Sequence, residues 1–148
     1  MISQISIKTK VGWITAFEQK NKIIKVKFIK KKNSLISNNL KKFRSELNNF
    51  FAGKHKSINC RVLLKGNSKQ IKVWKELKKI KFGKTKTYGE IAKKYKLSPR
   101  HVGKICSQNE ILLIIPCHRV IRSDGSMGGF SAIGGVTLKK KLLNFEKC

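Results

Sequence analysis

Alternation opens the chain. Ile5 and Ile7 alternate with polar residues, and Val11 to Phe17 is rich in apolar side chains. Gln19-Lys20-Asn21 then supplies a polar turn into Ile23-Ile24-Lys25-Val26-Lys27-Phe28. A period of two is what half-buried strands require, so Ile5 to Phe28 reads as β structure. Beyond it the period lengthens: Leu40, Phe43, Leu47 and Phe50 recur at helical spacing, with Gly53 as the stop. Lys30 to Asn33 reads as loop and Cys60 to Leu64 as one more short strand. Residues 1–66 are therefore expected to form a small α/β domain, an antiparallel sheet plus a helix.

Residues 67–148 read as a second, mainly helical domain. Ser68 is placed to cap a helix striped by Ile71, Trp74, Leu77 and Ile80, with Val73 beside the stripe and Gly83 as its stop. Thr87-Tyr88-Gly89-Glu90 is a capping box that opens a short helix through Ile91, Ala92 and Tyr95. After a turn at Lys96-Leu97, Ser98 caps a second helix and Pro99 takes its first position. That helix runs from Arg100 to about Ser107 and bears Arg100, His101 and Lys104. The pair is a helix-turn-helix candidate. Short helix pairs are also common in plain structural roles, so the pattern alone is evenly balanced.

Charge shifts that balance. The chain carries 35 Lys+Arg against 7 Asp+Glu, a net +28. Such a surface attracts polyanions and gains from counterion release, and nucleic acid is the obvious partner. A lysine-biased composition would coat any surface in this way, and the even spread of Lys leaves that reading standing. Beside the helix pair, however, the charge favours DNA. At 40% hydrophobic residues the chain can bury a core. No signal-peptide core appears in Met1 to Lys10 and no apolar run nears membrane-spanning length, so a cytoplasmic protein with no membrane partner is expected.

Of four cysteines, Cys60, Cys106, Cys117 and Cys148, none forms a CxxC pair. In a reducing cytosol all would be free thiols. Cys117 stands apart. It follows the apolar run Ile111-Leu112-Leu113-Ile114-Ile115 and sits in Pro116-Cys117-His118-Arg119-Val120. A thiol fixed by proline and followed by two potential cations has what lowers its pKa. The competing reading is a small buried core residue, the usual fate of a free cysteine.

The Pro116–Val120 pentapeptide resembles the active-site signature of the O6-alkylguanine-DNA alkyltransferases. Val73-Trp74, Phe82 through Ala92, Arg100 with Val102-Gly103, Asn109, and Gly125 through Ser131 fall in that family's order. The resemblance covers roughly residues 68 to 146, and it implies DNA repair by direct reversal. Cys117 would take the alkyl group from O6-alkylguanine in double-stranded DNA, irreversibly and without a cofactor, with O4-alkylthymine as a second candidate substrate. His118 would polarise Cys117 through a water, Glu146 would orient His118, Tyr88 would protonate the leaving base, and Asn109 would brace the cysteine turn. The carbonyls of Cys117 and Val120 would read the guanine amino group, and the Ser131 amide would face the alkylated oxygen. Phe130 and Leu112 would complete the base pocket. Arg100 would fill the gap left by a flipped base, with Thr87, Tyr88, His101, Lys104, Arg119 and Ser123 also on DNA. A monomer is expected.

This chain departs from the family pattern in places. Glu110-Ile111-Leu112 stands where a proline-containing segment is usual, and Phe130 where a tyrosine is usual. His55 and Cys60 are too few for a zinc site. The alternative is a non-catalytic DNA-binding protein, a lesion sensor or a regulator, but such sensors lack the cysteine that Cys117 supplies. A cysteine hydrolase would need an oxyanion-hole motif that is not found.

Overall fold

The computed structural model describes residues 1–147, and Cys148 lies outside them. The chain forms two compact units, Met1–Leu64 with Glu110–Ile114, and Lys65–Asn109 with the chain from Ile115 onward. Residues 110–114, expected in the second domain, thus pack with the first.

In the first unit β1 (Ser3–Thr9), β2 (Gly12–Gln19) and β3 (Lys22–Lys27) form an antiparallel sheet in that order. Lys20 and Asn21 both take positive φ, 51° and 62°, the two-residue turn whose twist suits a hairpin. Alternation then puts Ile5, Ile7, Ile14, Ala16, Ile23 and Val26 in the core. Helix α1 (Asn38–Phe51) lays Leu40, Phe43, Leu47 and Phe50 there too. It is capped by Ser37, which accepts from the Leu40 amide at 3.1 Å. Gly53, at φ +77°, follows the end of the helix. Lys30 to Asn33 is irregular, as expected, and the Asn33 side chain accepts from the Ser6 amide at 2.8 Å.

Cys60 to Leu64 is not a strand. Its one parallel bridge joins Val62 to Ile23, and a second bridge joins Ile111 to Val26. The outer edge of the six-residue β3 is shared between two segments, so neither extends into a ladder.

The second unit is mainly helical. Helix α2 (Ser68–Leu77) is capped one residue before the expected Ser68: Asn67 accepts from the Gln70 amide at 2.9 Å, and the Gln70 side chain accepts from the Asn67 amide at 2.8 Å. It also ends well before Gly83, through short-range bonds from Lys79 to Glu76 and from Ile80 to Leu77. Trp74 is buried and donates to the Ile105 carbonyl at 3.1 Å. Strand β4 (Lys86–Thr87) leads into α3 (Tyr88–Tyr95), where Thr87 accepts from the Glu90 amide at 3.0 Å. Lys96, at φ 56°, ends α3. Ser98 and Pro99 then open α4 (Pro99–Ser107). A short 3-10 turn (Cys117–Arg119), β5 (Val120–Ile121) paired parallel to β4, and α5 (Gly135–Lys147) complete the unit. Among the described residues no helix is long and apolar enough to cross a membrane.

One buried acid ties α2 to α3. Glu76, 2% exposed, accepts from Lys94 Nζ at 3.0 Å and from the Tyr95 hydroxyl at 2.9 Å. Burial pushes its carboxyl up, but bonds from Lys94, Tyr95 and Lys79 outweigh that and hold it at about 2.

Two outcomes follow from these cores. Leu47→Ala should destabilise the first unit by about 2–5 kcal/mol in urea unfolding, the usual range for a fully buried leucine. A loss under about 1 kcal/mol would place Leu47 outside the core. Glu76 has a folded pKa below its unfolded one, so its contribution is present above pH 4.5 and is lost as pH falls toward 2. Melting temperature measured from pH 5 to 2 should therefore drop less steeply in Glu76→Gln than in the unaltered protein. Parallel curves would remove Glu76 from the acid response.

Candidate active site

The Cys117 turn is built on irregular backbone that polar bonds hold in place. The Cys117 amide donates to the Ile115 carbonyl at 2.8 Å and the Arg119 amide to the Pro116 carbonyl at 3.0 Å. Val120 and Ile121 then pair with Lys86 and Thr87, which fixes the turn to the start of α3. Asn109 is buried and spans the turn. Its Nδ2 donates to the Ile115 carbonyl at 2.9 Å and lies 3.3 Å from Cys117 Sγ, so one side chain joins both ends of the Ile115–Cys117 stretch. Burial raises the Cys117 thiol pKa, with the Asn109 bond and the charge of Lys139 acting to lower it.

Behind the cysteine lies a closed polar cluster. His118 Nε2 is 2.8 Å from Glu146 Oε2. Arg119 grips the same carboxylate with Nε at 2.8 Å and Nη2 at 2.9 Å, while its Nη1 donates to the Ile80 carbonyl at 2.8 Å. All three side chains are buried. Burial pushes the Glu146 carboxyl up, yet the His118 and Arg119 bonds outweigh it and hold the pKa at about 2. The carboxylate is therefore charged at neutral pH. Burial draws the His118 pKa below its ordinary value against the pull of Glu146. A neutral imidazole facing a carboxylate must carry its proton on Nε2, which leaves the Nδ1 lone pair basic. That Nδ1 is buried and has no hydrogen-bond partner among the described residues.

In front of the cysteine is a cavity of about 550 Å³, lined by Cys117, Tyr88, Cys106 and Gly103 together with Arg100 of α4. Arg122, Ser123 and Gly128 to Ser131 also line it. A volume of this size suits a small-molecule or single-base ligand. Gly128, at φ +71°, packs so closely on Tyr88 that a Cβ there would lie 2.9 Å from the phenol ring and hydroxyl. Burial pushes the Tyr88 hydroxyl up to about 12, so it stays a proton donor. Cys106 also faces the cavity, but burial takes its thiol to about 12 as well.

Several expected site residues meet here: Cys117, Tyr88, Arg100, Ser123, Phe130 and Ser131 line one cavity, with His118, Glu146 and Asn109 behind it. Others do not. Arg119, expected on DNA, is 6% exposed and all three of its nitrogens are engaged by Glu146 and Ile80, so it cannot reach a phosphate. Leu112 is buried in the first unit and does not line the cavity. Val120 is fully buried, and its carbonyl, expected to read a guanine amino group, accepts from Lys139 Nζ at 2.6 Å. Thr87 is half-buried, with its hydroxyl used as the α3 cap. Lys104 is exposed and His101 half-buried, and neither lines the cavity.

The sequence reading passed over Lys139. It is fully buried, and its spacing was the available signal: Lys139, Leu142, Leu143 and Glu146 form one i, i+3, i+4, i+7 face of α5.

Residues 68–148 match the model of the 6-O-methylguanine DNA methyltransferase, DNA binding domain. A methylated-DNA–protein-cysteine methyltransferase of Metallosphaera sedula is 41% identical over 138 residues, spanning 91% of this chain and 86% of its own. A protein of the same name from Sulfolobus acidocaldarius is 41% identical over 92% of this chain and 87% of its own. The crystal structure of Mycobacterium tuberculosis O6-methylguanine methyltransferase superposes with a TM-score of 0.87 at 29% identity, covering 99% of this chain and 93% of that one. The chain belongs to the 6-O-methylguanine DNA methyltransferase family.

Proposed function

We propose that this protein repairs double-stranded DNA by moving the alkyl group of O6-alkylguanine onto Cys117, once per molecule. The observation that carries the reading is a buried thiol at the wall of a base-sized cavity, with a buried His118–Glu146 pair behind it. Glu146 keeps the imidazole proton on Nε2, and Nδ1 takes the thiol proton directly or through one water. The thiolate attacks the alkyl carbon in line, a C–S bond forms and the C–O bond breaks. The electron pair leaves with guanine, which the Tyr88 hydroxyl protonates.

Inside a duplex O6 is out of reach of this thiol, so the base must swing out, at a cost of roughly a few kcal/mol. Helices α3 and α4 serve as a helix-turn-helix, with Arg100 at the exposed start of α4 filling the vacated space. A minor-groove approach suits repair at any sequence, because that groove carries little base information. Lys104, His101 and Ser123 lie beside this surface as contacts to the backbone. The +28 charge adds sequence-independent attraction. The protein acts as a cytoplasmic monomer without a cofactor.

Incubated with excess O6-methylguanine duplex, the protein should take up one methyl group and then stop. A thioether is neutral and unstrained, and nothing in the site activates water to attack it. Peptide mass mapping should place the methyl on Cys117, and Cys117→Ala should bind duplex but accept nothing. The added volume should lower stability by about 1–3 kcal/mol, visible as a reduced melting temperature. Turnover past one equivalent, or methyl on Cys106 with Cys117 unmodified, would sink the mechanism.

Arg100→Ala tests the flipping role. It should slow repair of duplex DNA far more than reaction with free O6-alkylguanine, since only the duplex has a gap to fill. Equal slowing of the two reactions would remove Arg100 from that role.

A further inference from the structure

Lys139 is the only fully buried lysine among the described residues, and no carboxylate pairs with it. Burying an ammonium is costly unless all its hydrogen bonds are made. Here they are made entirely to neutral groups, of which Gly129 and Tyr88 line the cavity. Nζ donates to the carbonyls of Met127 at 2.5 Å, Val120 at 2.6 Å and Gly129 at 3.2 Å, and lies 3.4 Å from the Tyr88 hydroxyl oxygen. Val120 follows the cysteine turn, while Met127 and Gly129 flank the glycine that packs on Tyr88. One cation thus joins three parts of the site that are distant in sequence.

The direction of the bond to Tyr88 is fixed by chemistry. An ammonium has three N–H donors and no lone pair, so toward Tyr88 it can only donate. With the three N–H directed at the three carbonyls, the longer Tyr88 contact shares one of them; the phenol oxygen can only accept there, and the phenol's own proton is turned away from Lys139. Tyr88 lines the same cavity as Cys117, which leaves that proton free for whatever base occupies the cavity. A neutral amine could instead accept from Tyr88 and hold the proton back. Burial brings the ammonium down to about 8, so it is still protonated at neutral pH.

We propose that Lys139 is a positioning residue for alkyl transfer: its ammonium clamps the Met127–Gly129 segment to Val120 and turns the Tyr88 proton toward the departing guanine. The inference rests on the transfer proposed above. A structural clamp alone would slow the reaction whether or not residue 88 carries a hydroxyl. Action through Tyr88 makes the two residues interdependent.

The experiment is a double-mutant cycle on the full chain: the unaltered protein, Lys139→Met, Tyr88→Phe and the combination. Single-turnover methyl transfer to Cys117 is measured at saturating O6-methylguanine duplex, together with duplex affinity. Lys139→Met should slow transfer at least about tenfold with Kd changed less than about twofold, an effect on the chemical step rather than on binding. The combined variant should be no slower than the slower single variant. Transfer by Lys139→Met at the unaltered rate, or a combined slowing equal to the product of the two single effects, would overturn the proposal. Should Lys139→Met fail to fold by circular dichroism, Lys139→Gln takes its place in the cycle. It keeps a donor for the carbonyls but can accept from Tyr88, and the same outcomes decide. Absence of transfer by the unaltered protein would instead refute the repair reading itself.

Discussion

A single carboxylate organises the active site. Glu146 sits one residue before the end of α5, yet its oxygens hold two consecutive residues of the cysteine turn, His118 and Arg119. Buried ion pairs often add little net stability, because desolvation offsets their attraction. Their geometric demand is another matter. A buried Arg119 deprived of Glu146 would be an uncompensated charge, so the pair tolerates essentially one arrangement. That arrangement docks α5, selects the histidine tautomer and fixes the turn that presents Cys117. The bidentate fork suits this task, since a guanidinium matches the carboxylate in plane as well as in distance.

The same fork explains one failure of sequence reasoning. Arg119 lies beside a catalytic-looking histidine in a strongly cationic chain, and the resemblance offered DNA as its partner. Nothing in the spacing says that Cys117, His118 and Arg119 form a tight 3-10 turn whose three side chains are all buried. Lys139 was hidden for a different reason. It heads a run of three lysines, Lys139-Lys140-Lys141, in a chain where lysine is everywhere. Composition argued for solvent, and only the helical period argued for burial. The period prevailed because the backbone carbonyls of Val120, Met127 and Gly129 supply what a missing carboxylate would have supplied.

The first unit was far more legible. Its strands and helix follow from periods of 2 and 3.6, a polar turn and a glycine stop, all local signals. What escaped was non-local. The apolar run at 111–115 is buried, but which unit residues 111–114 join depends on the free edge of β3, where the Val26 amide donates to the Glu110 carbonyl at 2.9 Å. Leu113 even takes φ 68°, a left-handed conformation that a branched residue adopts only under constraint. Cys117, by contrast, stands out at once as the candidate nucleophile, because Pro-Cys-His-Arg is dense in chemistry and short in range.

The site therefore owes its rigidity to side chains more than to secondary structure. Between Ile115 and Ile121 the backbone makes one 3-10 turn and a two-residue ladder. The remaining constraints are buried polar bonds from Asn109, Arg119 and Lys139, residues spread over three separate stretches of the chain. Such bonds are strong where water is excluded and costly where one partner is removed. The site is thus cooperative: each constraint assumes the others, and two of them converge on one face of α5. Lys139 and Glu146 are seven residues apart, about 10 Å along the helix at 1.5 Å per residue. That spacing sets one charge beside the cavity and the other behind the Cys117 turn. A helix that shifted by a single residue would misplace both at once, so the cavity and the cysteine turn depend together on the docking of α5.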